Sequence, residues 1–189
     1  MKLSPTLKKS ILFGVLILVA AALLGRGVAH GYLHPADPLI LLAAFWLPTP
    51  AALVTVGVAS AAADLLLGYW LLAPVTLILK LLMVWAAKGL LKTPLAQKNP
   101  EIAALPALLI PVPGFWLAEV VFQLCNGKGL ASFGIAAAAT LKADLVQAVA
   151  SILIFFLLYA LVNGIRTARQ EVRRQKEAQK QEDPTDENT

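Results

Sequence analysis

Residues 49–91 read TPAALVTVGVASAAADLLLGYWLLAPVTLILKLLMVWAAKGLL. The charged side chains in this stretch are Asp64, Lys80 and Lys88. Two apolar runs, Ala51–Leu67 and Ala73–Leu91, flank the turn Gly68-Tyr69-Trp70. A helix rises 1.5 Å per residue, so ~20 apolar residues cross ~30 Å of hydrocarbon. Each run is of that order, and aromatic residues such as Tyr69 and Trp70 favour the membrane–water interface. The stretch predicts a transmembrane helical hairpin.

The same reading extends in both directions. Span 1 covers Ser10–Ala29, and a polar loop, Gly31–Asp37, follows with Tyr32, His34 and Asp37. Span 2, Pro38–Leu47, is short at ten residues, or ~15 Å. Pro48-Thr49-Pro50 breaks the chain ahead of span 3. After span 4, a polar loop over 92–100 carries Lys92 and Lys98. Span 5, Glu101–Cys125, is interrupted by Pro106, Pro111 and Pro113, which free backbone carbonyls and suggest irregular backbone lining a cavity or a plain kink. Asn126-Gly127-Lys128-Gly129 turns into span 6, Ala136–Gly164. The expected architecture is an all-α bundle of six transmembrane helices, residues 1–165, with a charged tail, 166–189, that starts as an exposed helix and ends disordered.

Composition agrees with a lipid solvent. Of 189 residues, 59% are hydrophobic and 14% charged, with mean hydropathy +0.75. Soluble domains average about 45–50% apolar and about 25% charged. The spans leave no room for a soluble catalytic domain. One cysteine, Cys125, excludes an internal disulfide, and two histidines, His30 and His34, are too few for a histidine-rich metal site. No cofactor and no metal are expected. The net charge of +5 sits at the two ends and in one internal loop, which speaks against nucleic-acid binding. Lys8, Lys9 and the apolar run from Ile11 resemble a secretory leader, but every later span is equally apolar, so a retained first helix is the simpler reading.

Lys2, Lys8 and Lys9 at one end, and Arg166, Arg169, Arg173 and Arg174 after the last span, assign both termini to the cytoplasm by the positive-inside rule. The crossing number is then even, span 2 counts as a crossing, and the 30–37, 68–72 and 126–135 loops face outward.

Polar residues within the spans recur at helical spacing: Ser60 and Asp64; Thr76 and Lys80; Trp116, Glu119, Gln123 and Asn126; Thr140, Asp144, Gln147 and Ser151. Residues three and four apart share a face. Spans 3 and 5 carry their stripes in their second halves, spans 4 and 6 in their first halves, so alternating topology brings all four to one level in the outer half of the membrane. A charge at the bilayer centre costs roughly 2.5–3.5 kcal/mol on insertion scales, so Asp64, Lys80, Glu119 and Asp144 are expected to face inward. They either pair with one another as structural glue or line a ligand pocket, with Lys80 and Glu119 foremost as ligand contacts. Tyr69, Trp70 and Trp116 either stack on a flat ligand or anchor the interface, and His34 reads as a solvated loop residue. Small residues four apart, Ser10/Gly14 and Ala21/Gly25 in span 1 and Gly57/Ala61 and Ala59/Ala63 in span 3, allow close helix approach, within the bundle or against another subunit.

The run Ala63-Asp64-Leu65-Leu66-Leu67-Gly68-Tyr69-Trp70, then Ala73-Pro74-Val75-Thr76 and Lys80, resembles the substrate-binding S components of energy-coupling factor transporters. The resemblance implies capture of a vitamin or related micronutrient at the outer face of the plasma membrane. It also implies partners, a membrane coupling subunit and two ATPases. Asp64, Tyr69, Thr76, Lys80, Trp116, Glu119, Gln123, Asn126, Asp144 and Gln147 are the candidate ligand contacts. Ser10, Gly14, Ala21 and Gly25 are the candidate docking residues for the coupling subunit. No phosphate-binding loop G-x-x-x-x-G-K-[ST] occurs in the sequence, so energy would have to come from the partners. The rivals are a structural membrane scaffold whose polar stripes pair fully among themselves, and an intramembrane enzyme using Glu119 or Asp144. For the enzyme no nucleophile–base pair is evident.

Overall fold

The computed structural model describes residues 3–24, 36–125 and 130–182. Among them the regular structure is helical throughout: α1 Pro5–Leu24, α2 Asp37–Trp46, α3 Thr49–Leu66, α4 Ala73–Leu90, α5 Pro94–Lys98, α6 Pro100–Ala104, a 3₁₀ turn Leu105–Leu109, α7 Pro111–Cys125 and α8 Leu130–Glu182. Prolines mark the helix starts. Pro38, Pro50, Pro74 and Pro94 each lie in the first two positions of a helix, where a missing N–H leaves no intrahelical bond unmade. Five segments among the described residues are long and apolar enough to cross a membrane: Pro5–Leu23, Thr49–Leu66, Ala73–Leu90, Pro100–Cys125 and Ala138–Gln179. α2 is a shorter apolar helix of ten residues. These are the properties of a membrane protein.

The fifth of the expected spans is interrupted at its prolines, as the sequence implied. Residues 100–125 form a short helix, a 3₁₀ turn and a second helix. Pro106 falls in the 3₁₀ turn, while Pro111 and Pro113 fall in the first turn of α7, where backbone N–H groups have no helical acceptor in any case. The proline spacing therefore makes a junction, not a kinked continuous helix.

The chain divides into two compact units, Met1–Phe155 and Phe156–Thr189. In the first, α3 packs chiefly against α4 and α1, and α2 lies against α1, α3 and α4. α2 is the most enclosed element: Ile40, Leu41, Ala43 and Ala44 are fully buried. The outward faces carry Val54, Val58, Ile78, Leu82, Leu117, Val121, Val146 and Leu153, an apolar exterior around a partly polar interior, as expected where lipid is the solvent. In the second unit, residues 164–175 are all exposed, and the Thr167 hydroxyl donates to the Asn163 carbonyl at 3.1 Å.

Two pairs of contacts fix helix direction. The first residue of α2, Asp37, meets Lys80 of α4, and the residue after its end, Leu47, meets Lys88 eight positions later in the same helix. Asp37 also meets Gln147 of α8, and Phe45 packs on Phe155 with ring centroids 5.7 Å apart. α2, α4 and the part of α8 over 147–155 thus run the same way. α3 joins α2 to α4 and runs against both.

Candidate functional site

The α3–α4 turn positions one side of the site. Gly68 has φ +83, a left-handed conformation natural to glycine. The Gly68 N–H donates to the Leu65 carbonyl at 3.2 Å and the Tyr69 N–H to the Asp64 carbonyl at 2.8 Å. This pair of bonds is the Schellman motif that closes helix C-termini. The spacing Asp64-x-x-x-Gly68-Tyr69 therefore has a backbone reason of its own. From there the chain enters α4, with the Thr76 N–H bonded to the Leu72 carbonyl at 2.8 Å.

At the level of Lys80, seven residues or ~10 Å into α4, lies a buried polar cluster. The Lys80 ammonium, 0% exposed, donates to Asp37 Oδ1 at 2.5 Å. The Gln147 amide donates to Asp37 Oδ2 at 3.0 Å. The Phe115 ring lies with its centroid 5.3 Å from the Lys80 ammonium, a cation–π contact. Asp144, one turn before Gln147, is buried and within electrostatic reach of both Lys80 and Asp37. Asp37 is 2% exposed.

This placement corrects the expectation for Asp37, which the sequence reading left in an outward-facing polar loop. Asp37 is instead the first residue of a buried helix. An apolar run opening with Asp37-Pro38 carries a helix-start signature, and that signal was available in the sequence. The physical reason is charge: an ammonium held inside a membrane bundle needs an anion, and Asp37 is the one it reaches. The side chain also sits at the positive end of the α2 dipole.

The remaining candidates distribute as follows. Ser60, Asp64, Thr76, Gln123, Asp144, Gln147 and Ser151 are all buried. Glu119 and Tyr69 are half-buried and line a groove of about 650 Å³ between the 68–72 turn and α7, with Trp70, Val75, Gly114 and Phe122. Within α7 the Gln123 amide donates to Glu119 Oε1. Lys80 and Glu119, expected to share one pocket, are thus separated: Lys80 is enclosed in the Asp37 cluster, and Glu119 lies on the groove. Trp116 is half-buried and does not line that groove. Asn126, His34 and the rest of residues 30–35 lie outside the described residues. On α1, Gly14 approaches Thr55, Ala21 is fully buried and Ser10 is half-buried, while Gly25 lies outside the described residues.

Among the described residues, Ser60 Oγ, Thr76 Oγ1, Gln123 Oε1 and Asp144 Oδ2 are buried side-chain atoms without a hydrogen-bond partner. Buried polar atoms are nearly always bonded, and each exception calls for an explanation. Among the described residues no group of three or more His, Cys, Asp or Glu is placed to hold a metal ion. The arrangement offers hydrogen-bond acceptors, one hydroxyl per helix on α3 and α4, and a compensated charge pair. These are means of holding a polar molecule. Comparison of the chain with protein-family models, curated proteins and solved structures gave no match.

Proposed function

We propose that the chain is a six-crossing plasma-membrane subunit, both termini cytoplasmic, that captures a vitamin or related micronutrient at the outer face for uptake driven by a separate membrane coupling subunit and ATPases. The observation that carries this reading is the set of buried oxygens without partners. Thr76 Oγ1 lies one turn before Lys80, and Asp144 Oδ2 one turn before Gln147. A polar ligand would complete them. The groove of about 650 Å³ beside Glu119 and Tyr69 has the size of a small-molecule pocket. The common direction of α2, α4 and residues 147–155 of α8 supports an even number of crossings. The resemblance of residues 63–80 to transporter S components supports the choice of partners.

The Asp37–Lys80–Gln147 contacts favour a second reading, a scaffold whose interior charges only hold helices together. The two readings part on ligand. Protein purified from rich medium should carry a small molecule identifiable by mass spectrometry, and mild-detergent capture should recover a membrane subunit with ATPases. A preparation free of small molecules, with only cell-wall or division proteins captured, would establish the scaffold.

A further inference from the structure

A second groove lies at the opposite end of α4 from the Gly68 turn, away from the polar cluster. It has a volume of about 640 Å³ and is lined by Thr49 of α3, Trp85 and Lys88 of α4, Lys92 just past the end of α4, and Pro106 and Ile110 around the 3₁₀ turn, among others. No acidic side chain lines it. The N-terminus of α3 and the C-terminus of α4 meet there, so their dipoles are of opposite sign and the two ammonium groups set the charge of the groove.

We infer that this groove binds the anionic headgroup of a membrane phospholipid. Lys88 is half-buried and donates one hydrogen to the Leu47 carbonyl at 2.6 Å. That bond fixes the ammonium at the groove and leaves two of its three donors for a phosphate oxygen. Lys92, exposed two residues past the end of α4, supplies a second cation. Apart from Thr49 the other lining side chains are apolar, and Trp85, 69% exposed, stands on the outward face of α4 beside Leu82. A tryptophan in that position belongs at headgroup depth. A phosphate held by the lysines would leave its acyl chains on the apolar surface that Trp85 and Ile110 continue. A soluble anion would use the lysines but leave that surface without a role. Basic pockets between transmembrane helices are general sites for anionic headgroups. The assignment is independent of the nutrient reading.

Full-length protein in nanodiscs of equal phosphatidylglycerol and phosphatidylcholine, released for native mass spectrometry, tests this. With ~1 kcal/mol per lysine near an anionic surface and ~1.4 kcal/mol per tenfold, the retained lipid should favour phosphatidylglycerol by about thirtyfold. Lys92→Gln should cut that preference roughly fivefold with unchanged melting temperature, because Lys92 makes no side-chain bond within the groove. Lys88→Gln/Lys92→Gln should abolish it. Equal retention of both lipids, or a preference unchanged in Lys92→Gln and the double variant alike, overturns the inference. So does displacement of phosphatidylglycerol by millimolar inorganic phosphate, which would make the groove a site for free anions.

Discussion

Asp37→Asn removes the counter-charge of a fully buried ammonium. Breaking one side of a buried ion pair costs about 3–5 kcal/mol, whereas replacing both members by apolar groups is often neutral. Asp37→Asn and Lys80→Met are each expected to lower the melting temperature in detergent sharply, and Asp37→Leu/Lys80→Met to recover most of the loss. Additive losses would show that the two residues do not depend on each other. Thr76→Val acts in the opposite sense. Its hydroxyl is buried without a partner, so removing it should leave the apoprotein as stable or raise its stability by about 1 kcal/mol, while weakening retention of the co-purified small molecule. Loss of stability without loss of ligand would remove Thr76 from the site.

At the scale of elements, the α3–α4 turn depends on one backbone conformation. An L-residue in the left-handed region costs about 1–2 kcal/mol, so Gly68→Ala should destabilise by that amount and Gly68→Asn by less, measured by thermal unfolding. Gly114 sets the approach of α7 to α4: a Cβ there would lie 2.2 Å from Leu79 Cδ2. Gly114→Val should therefore open the α4–α7 contact, and Leu79→Ala should partly relieve it. The long apolar helices, the Gly68 turn and the buried faces of Ser60/Asp64, Thr76/Lys80 and Asp144/Gln147 were legible in the sequence, since residues three and four apart share a face. Depth and pairing were not. Lys80 finds its anion 43 residues away and Asp37 its amide 110 residues away, and periodicity carries no information across such separations. Glu119 looked equivalent to Lys80 by position along a span, yet Phe115, one turn before it, is the α7 residue that meets the Lys80 ammonium, and Glu119 lines the neighbouring groove.

For the whole molecule, topology is the property most exposed to experiment. Cys125 is free and exposed at the end of α7. With six crossings and cytoplasmic termini, a membrane-impermeant maleimide should label Cys125 on sealed cells, or on protoplasts where a wall blocks access. Thr185→Cys, placed in a background with Cys125→Ser, should label only after lysis. Labelling of Thr185→Cys in sealed cells would place the C-terminus outside, and the groove beside Tyr69 and Glu119 would then open toward the cytoplasm.

The order of synthesis gives the Asp37–Lys80 contact a further consequence. α2 leaves the ribosome as ten residues led by an aspartate, while its lysine follows 43 residues later. A helix so short, bearing a charge that costs roughly 2.5–3.5 kcal/mol at mid-bilayer, has no means of partitioning into lipid by itself. If α2 is a crossing, it is expected to wait at the insertion machinery until α3 and α4 arrive, and then to enter with them. Nascent chains arrested while Lys80 is still inside the ribosome should leave residues 37–47 accessible to water-soluble reagents, chains long enough for Lys88 to have emerged should not, and Lys80→Met should prolong the accessible stage.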